Sequence, residues 1–186
     1  MPTIAEMRRE VVVTGLQHSG ITAADLSRRA KRNAPVAIPT SSACYFSRLI
    51  GPHGTAAIDA PEAAPVEAAL KTTGWRLSDI LVTHHHADHT DGIPALKERY
   101  KCRVVAPAGE AARIPQVDET VRENDKVRVG GLEARVLETP GHTAGHISYF
   151  LPADQIAFVG DTLFSIGCGR VIEGTPEMMW KSLLKL

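Results

Sequence analysis

Residues 83–89 read Thr-His-His-His-Ala-Asp-His, four histidines and one carboxylate in seven positions. Imidazole nitrogen and carboxylate oxygen together suit zinc, iron or manganese. His and Asp are seldom buried without partners, so a run this dense points to a bound metal ion rather than to packing. A tag-like tract does not fit, because the run is internal, interrupted by Ala87 and Asp88, and preceded by apolar Ile80-Leu81-Val82. Two further segments carry ligand-type groups. Thr139-Pro140-Gly141-His142-Thr143-Ala144-Gly145-His146 offers His142 from a rigid prolyl-glycyl corner, and Val159-Gly160-Asp161-Thr162 places a carboxylate just past an apolar stretch. A lone His or Asp at a strand end is usually an ordinary turn or capping residue. Three such ends in one short chain argue for convergence on one site.

The elements that must position these groups are short strands alternating with helices. Asp79-Ile80-Leu81-Val82 has the composition of a buried strand, and Gly92-Ile93-Pro94 opens a helical pattern over Ile93 to Tyr100. The His run therefore lies on a strand-to-helix loop, a usual address for active-site residues. Alternation directs His84 and His86 to one side, and His85 away toward packing or solvent. Asp88 and His89, beyond the turn, address a second point close by. Further strands are expected at Val36–Ile38, Ser47–Ile50, Ala56–Ile58, Arg103–Ala106, Val127–Val129, Leu132–Leu137, Ile147–Leu151 and Ile156–Val159, with a hairpin turn at Gly51–Gly54. Helices are expected over Pro65–Thr73 and Pro176–Leu186. The pattern is that of a layered α/β domain with mixed strands over residues 35–186. Residues 1–34 read as an N-terminal extension, disordered or weakly helical over Ala23–Lys31, with a basic run at Arg28-Arg29-Ala30-Lys31-Arg32.

Composition narrows the classes. The chain has 186 residues, 44% hydrophobic and 23% charged, with 21 basic and 21 acidic side chains. That length supports one sizeable core. Zero net charge gives no electrostatic footprint for nucleic acid or an anionic membrane, and no apolar run approaches the roughly 20 residues needed to span a bilayer. Three widely spaced cysteines, Cys44, Cys102 and Cys168, form neither a disulfide framework nor a zinc ribbon. A reducing, cytoplasmic setting and a monomer are the expectations.

Asp59, residues 83–89, His142 and Asp161 together resemble the metallo-β-lactamase superfamily. Within it, the segment 139–146, followed by Gly-Asp-Thr-Leu-Phe-Ser-Ile-Gly-Cys-Gly-Arg (160–170) and Glu173-Gly174-Thr175, is similar to glyoxalase II, the hydroxyacylglutathione hydrolases. The resemblance covers residues 36 to 186 and implies an αββα sandwich with a dinuclear metal site at one edge. It implies that His84, His86 and His142 bind the first of two divalent ions, zinc with iron or manganese as alternatives. Asp88 and His89 would bind the second, and Asp161 would bridge both. Asp59, Thr83 and His146 would support these ligands from behind. Arg170 and Ile172 would face the glutathione moiety, and Asp88 is the candidate for proton transfer. The implied reaction is attack of a metal-activated hydroxide on S-(2-hydroxyacyl)glutathione, lactoylglutathione in particular, giving glutathione and a 2-hydroxy acid such as lactate.

The sequence departs from that pattern in places. The family's last metal-ligand His lies in a Gly-His-Glu-Tyr-type segment after the Asp161 motif. The chain reaches Leu186 before it, so a C-terminally incomplete domain with an incomplete second site is expected. Ile172 replaces an aromatic residue, Asp91 a common glycine, and Ala43-Cys44-Tyr45-Phe46 an Asp-Asn-Tyr segment. Two alternatives follow. A persulfide dioxygenase of the same fold would use one iron on His84, His142 and Asp161. A truncated, non-catalytic domain would bind metal and turn nothing over. Cys168 reads as a turn former rather than a nucleophile, and Cys102, Trp75 and Trp180 as packing residues.

Overall fold

Alternating side chains along the central strands divide the interior into two cores. In β4 (Thr55–Ile58) Ala56 and Ile58 face one core and Ala57 the other, and β5 (Leu77–Leu81) and β6 (Arg103–Pro107) repeat the pattern with Leu81 against Ile80 and Val105 against Val104. Strands buried on both faces tend to read as apolar runs, which is why β4, β6 and the Ile80-Leu81 end of β5 stand out in the sequence. The computed structural model describes residues 54–164 and 166–186, with the backbone of β1 (Glu10–Val12), β2 (Val36–Ala37) and β3 (Arg48–Ile50).

Two sheets form the sandwich. One runs in the order β2-β3-β4-β5-β6-β7, with β7 spanning Glu119–Val121. The other runs β1-β11-β10-β9-β8, with β8 at Lys126–Val129, β9 at Leu132–Glu138, β10 at Ile147–Leu151 and β11 at Ile156–Phe158. Ile58, Leu81, Val105, Val136, Tyr149 and Phe158 fill the space between the sheets. Helices α1 (Ala63–Thr73) and α3 (Ile93–Tyr100) cover the outer face of the first sheet through Val66, Leu70, Ile93 and Leu96. Fully burying a side chain of that size contributes about 1.5–3 kcal/mol. The fold is thus the mixed α/β sandwich expected. Among the described residues no helix is long and apolar enough to cross a membrane.

Some elements differ from the sequence expectation. β1 lies inside residues 1–34 and pairs in parallel with β11, so that part of the segment belongs to a sheet. The helical stretch at 23–31, the turn residues 51–53 and residues 43–46 lie outside the described residues. β7 and the four-residue helix α2 (Ala87–Thr90) are too short for periodicity to announce. Trp75 packs against the outer core as expected. Trp180, on α4 (Pro176–Lys185), is 62% exposed and is not a packing residue.

Candidate metal centre

Every ligand-type residue singled out in the sequence sits just past the C-terminal end of a strand, at the edge where the two sheets meet. Asp59 follows β4, the run 83–89 follows β5, His142 follows β9 and Asp161 follows β11. The backbone N–H of Ile147 donates to Thr83 O at 3.0 Å and joins the sheets there. Gly160 is required at this junction: its φ is +48°, and a Cβ would come within 2.5 Å of His146 Nε2 and 2.7 Å of Thr83 Oγ1.

Three imidazole nitrogens converge first. His86 Nδ1 lies 3.1 Å from His84 Nε2 and 3.0 Å from His142 Nε2. Nitrogens bound tetrahedrally to one zinc at about 2.0–2.1 Å would stand roughly 3.3 Å apart, close to what is seen. Partners behind two of the rings fix which nitrogen carries the lone pair. His142 Nδ1 donates to Arg170 O at 2.7 Å. Thr83 gives its hydroxyl proton to Asp59 Oδ2 (2.9 Å) and so accepts from His84 Nδ1 at 3.0 Å. Both Nε2 atoms are left facing inward with lone pairs free to meet a cation. Burial first, then the neighbouring histidines, hold His84 well below the ordinary imidazole pKa and lower His86 less severely. Neutral rings are what a cation needs.

A second group forms from His84, His89 and Asp161. His89 is buried, its Nδ1 is 2.9 Å from Asp59 Oδ2, and its Nε2 is 3.4 Å from Asp161 Oδ1. That Nε2 meets Asp161 only at this long distance and forms no well-shaped hydrogen bond, a costly condition for a buried polar atom and one that a cation would relieve. Burial disfavours its charged form, but the carboxylates of Asp59 and Asp161 outweigh burial and push its pKa up to about 10. Asp161 turns its other oxygen, Oδ2, to His142 Nε2 at 3.4 Å, so one carboxylate addresses both groups. Among the described residues these two groups, sharing His84, are compact enough to hold two cations side by side, and the donor chemistry fits.

Asp59, Thr83 and His146 stand behind these groups. Asp59 adopts a left-handed backbone, with φ of +57°, and accepts from Thr83 N (2.8 Å), Thr83 Oγ1 and His89. His146 Nε2 accepts from Asp161 N at 3.1 Å, and Thr139 Oγ1 lies 2.9 Å from its Nδ1. Burial pushes the His146 pKa down to about 3, so it is a neutral support for the Asp161 backbone. Asp88 belongs to neither compact group; it lines a cleft of about 510 Å³ with His86, His142, Asp161, Phe164, Arg170 and Ile172. Arg170 and Ile172 are exposed at that mouth. A larger groove, about 750 Å³, lies away from the histidines, and its Lys97, Asp118 and Arg103 are engaged in the Lys97–Asp118 and Arg103–Asp79 ion pairs. His85 turns aside, as alternation implies, and meets Glu110. Nothing in the local sequence marks Glu110, a single acid in a loop. Cys168 is exposed and Cys102 buried, with burial pushing the Cys102 thiol up to about 11.

Comparison with known proteins agrees with this geometry. A hydroxyacylglutathione hydrolase of Rhodopseudomonas palustris (strain BisB5) is 65% identical over 132 residues, covering 71% of this chain and 52% of the relative. The chain thus spans about half the length of such relatives. A crystal structure of ETHE1 from Myxococcus xanthus superposes with a TM-score of 0.72 at 32% identity, covering 82% of this chain and 68% of that one. The BLEG-1 B3 metallo-β-lactamase gives the same TM-score at 21% identity, over 81% and 83% of the two chains, and shares the fold. The profile described as the metallo-beta-lactamase superfamily matches residues 51–186, the stretch that holds all of these candidate groups, and the chain belongs to that superfamily.

Proposed function

We propose that this site hydrolyses S-(2-hydroxyacyl)glutathione thioesters, lactoylglutathione foremost, to glutathione and the 2-hydroxy acid. The observation that carries the reading is Asp161, which offers one oxygen toward His89 and the other toward His142 across two adjoining ligand groups. The relatives named hydroxyacylglutathione hydrolase give the substrate class. His84, His86 and His142 are the ligands of one cation. His89 and Asp161 serve the other, with Asp88 at the cleft mouth as a further ligand or proton acceptor. Two divalent ions, zinc by preference and iron or manganese as alternatives, would lower the pKa of water and polarise the thioester carbonyl.

The chain's own groups supply the rest. In this reading the cleft wall of Phe164 and Ile172 borders the acyl group, and the Arg170 guanidinium at the mouth would meet a glutathione carboxylate. Water oxygen bonds to the carbonyl carbon, the C–S bond breaks, and the sulfur departs as thiolate, stable enough to need no strong acid. The displaced proton passes to a carboxylate at the cleft, Asp88 or Asp161. The small cleft accords with a small-molecule substrate.

The test is thioester hydrolysis by metal-reconstituted protein, with metal content measured alongside. Hydrolysis that disappears together with bound metal in His84→Ala/His86→Ala is the expected result. Turnover that survives metal stripping overturns the reading. One iron per chain with sulfite formed from glutathione persulfide would establish the dioxygenase instead. Metal-dependent thermal stabilisation with neither activity would leave a binding domain only.

A further inference from the structure

Glu110 sits in the loop after β6, 1% exposed, and four donors converge on its carboxylate. Oε2 accepts from the backbone N–H of His85 at 2.8 Å and lies 2.7 Å from His85 Nδ1. Oε1 accepts from Gly145 N at 2.8 Å and from the Thr143 hydroxyl. These bonds fill the acceptor capacity of a carboxylate, and each is strengthened by its charge. The gripped positions matter more than their number. His85 N lies between His84 and His86, and Thr143 and Gly145 lie between His142 and His146.

We propose that Glu110 is a positioning residue: one buried carboxylate that locks the loop 83–89 to the loop 139–146 and so sets the distance from His84 and His86 to His142. The proposal rests on reading those three histidines as metal ligands. The two loops leave different sheets, β5 in one and β9 in the other, so apart from the Ile147 N to Thr83 O bond at their roots strand pairing does not fix their spacing. Packing is shaped around the clamp. A Cβ on Gly145 would meet Glu110 Cγ at 2.7 Å, and one on Gly109 would meet Gly145 Cα at 3.4 Å. On the far side of His85, Glu173 Oε1 lies 3.6 Å from Nε2 and is itself held by Arg113 at 2.6 Å.

A third cation on His85, Glu110 and Glu173 is the competing use of these groups. It fails because Glu110 already has four donors and Glu173 accepts from both Arg113 nitrogens and from Ala144 N. Carboxylate chemistry is required at 110. An amide keeps the shape but turns an NH2 toward two donors, and those contacts become repulsive.

Glu110→Gln and Thr143→Val test the clamp, with zinc as the probe in competition with a chelator and amide exchange followed in the metal-free protein. Glu110→Gln is expected to weaken zinc binding 10- to 100-fold, the usual range for a partner behind a ligand, and to speed exchange of the His85 and Gly145 amides. Thr143→Val should weaken it roughly threefold to tenfold. A Co(II)-loaded sample should show a shifted visible spectrum, which general destabilisation of the fold would not produce. Should Glu110→Gln fail to fold, Thr143→Val alone carries the test. Zinc affinity equal to wild type in the folded variants overturns the proposal. If wild-type protein itself binds no zinc, the metal reading is what fails, and exchange alone judges the clamp: faster exchange on both loops supports it, and unchanged exchange overturns it.

Discussion

His89 is bracketed by two acids, Asp59 on Nδ1 and Asp161 on Nε2. Burial works against its charge, the carboxylates outweigh it, and the ring holds its proton up to about pH 10 in the absence of metal. A raised pKa contributes stability that is whole below the ordinary value of 6.5 and is lost as pH rises through about 10. The metal-free protein should therefore lose its stability advantage over His89→Gln between those limits, as read from urea midpoints at stepped pH. The same proton competes with a cation. Affinity at the His84–His89–Asp161 group should rise about tenfold per pH unit over that window, with one proton released per ion. At the His84–His86–His142 group, His84 and His86 have lowered pKa values and impose no such competition above neutrality. Calorimetry in buffers of different ionisation enthalpy distinguishes the groups, and equal proton release at both would refute the assignment.

Among the described connecting elements, the loop 169–174 is held by residues distant in sequence. Ile172 N and Glu173 N both donate to His142 O at 3.2 Å, and Gly174 N donates to Gly141 O at 3.2 Å. Glu173 completes the tether through Arg113 and Ala144 N. The Arg113 guanidinium, then the Ala144 N–H, draw its carboxyl down to about 2 from an ordinary 4.5. A lowered carboxyl pKa gives stability present above 4.5 and lost as pH falls toward 2. Glu173→Gln should cost about 0.5–1 kcal/mol at neutral pH, since solvent screens a partly exposed pair, and nothing near pH 2. Chemical unfolding at the two pH values measures both, and a difference that persists at low pH would contradict the tether. Because the loop carries Arg170 and Ile172, the same variant should raise KM for a glutathione thioester more than it lowers kcat. This tether shows where sequence reading stops. The His run and the Pro-Gly corner announce themselves because their residue types are rare together. Glu110 and Arg113 are ordinary surface-type residues, and Glu173 stands out only as part of a family-like segment; what the three do arises only when separated loops meet.

At the scale of the molecule, the site exists because two sheets share an edge. β4 and β6 are legible because burial on both faces makes their runs nearly all apolar, β5 only through Ile80-Leu81 because Ser78 and Asp79 interrupt it, and β8 and β9 as apolar strands on either side of Gly130-Gly131. What alternation could not supply is the packing of one sheet on the other, which decides whether His142 meets His84. That contact depends on side chains crossing between layers. Tyr149, wholly buried on β10, reaches across the inner core and donates its hydroxyl to Val82 O at 2.9 Å, with Val105 O at 3.5 Å. Burial holds its phenol well above the ordinary pKa, so it stays a donor at any working pH. Val82 immediately precedes the Thr83–His84 pair, so this bond ties the root of the His run to the sheet that carries His142. Tyr149→Phe keeps the ring and its packing but removes the donor. The expected loss is about 1–2 kcal/mol, seen as a lower urea midpoint with an unchanged m-value. Zinc affinity should fall with it by a smaller factor than in Glu110→Gln, because Tyr149 holds the strand beneath the ligands whereas Glu110 grips the ligand loops themselves. A Tyr149→Phe protein that loses more zinc affinity than Glu110→Gln would reverse that order and place control of the ligand spacing in the sheet interface.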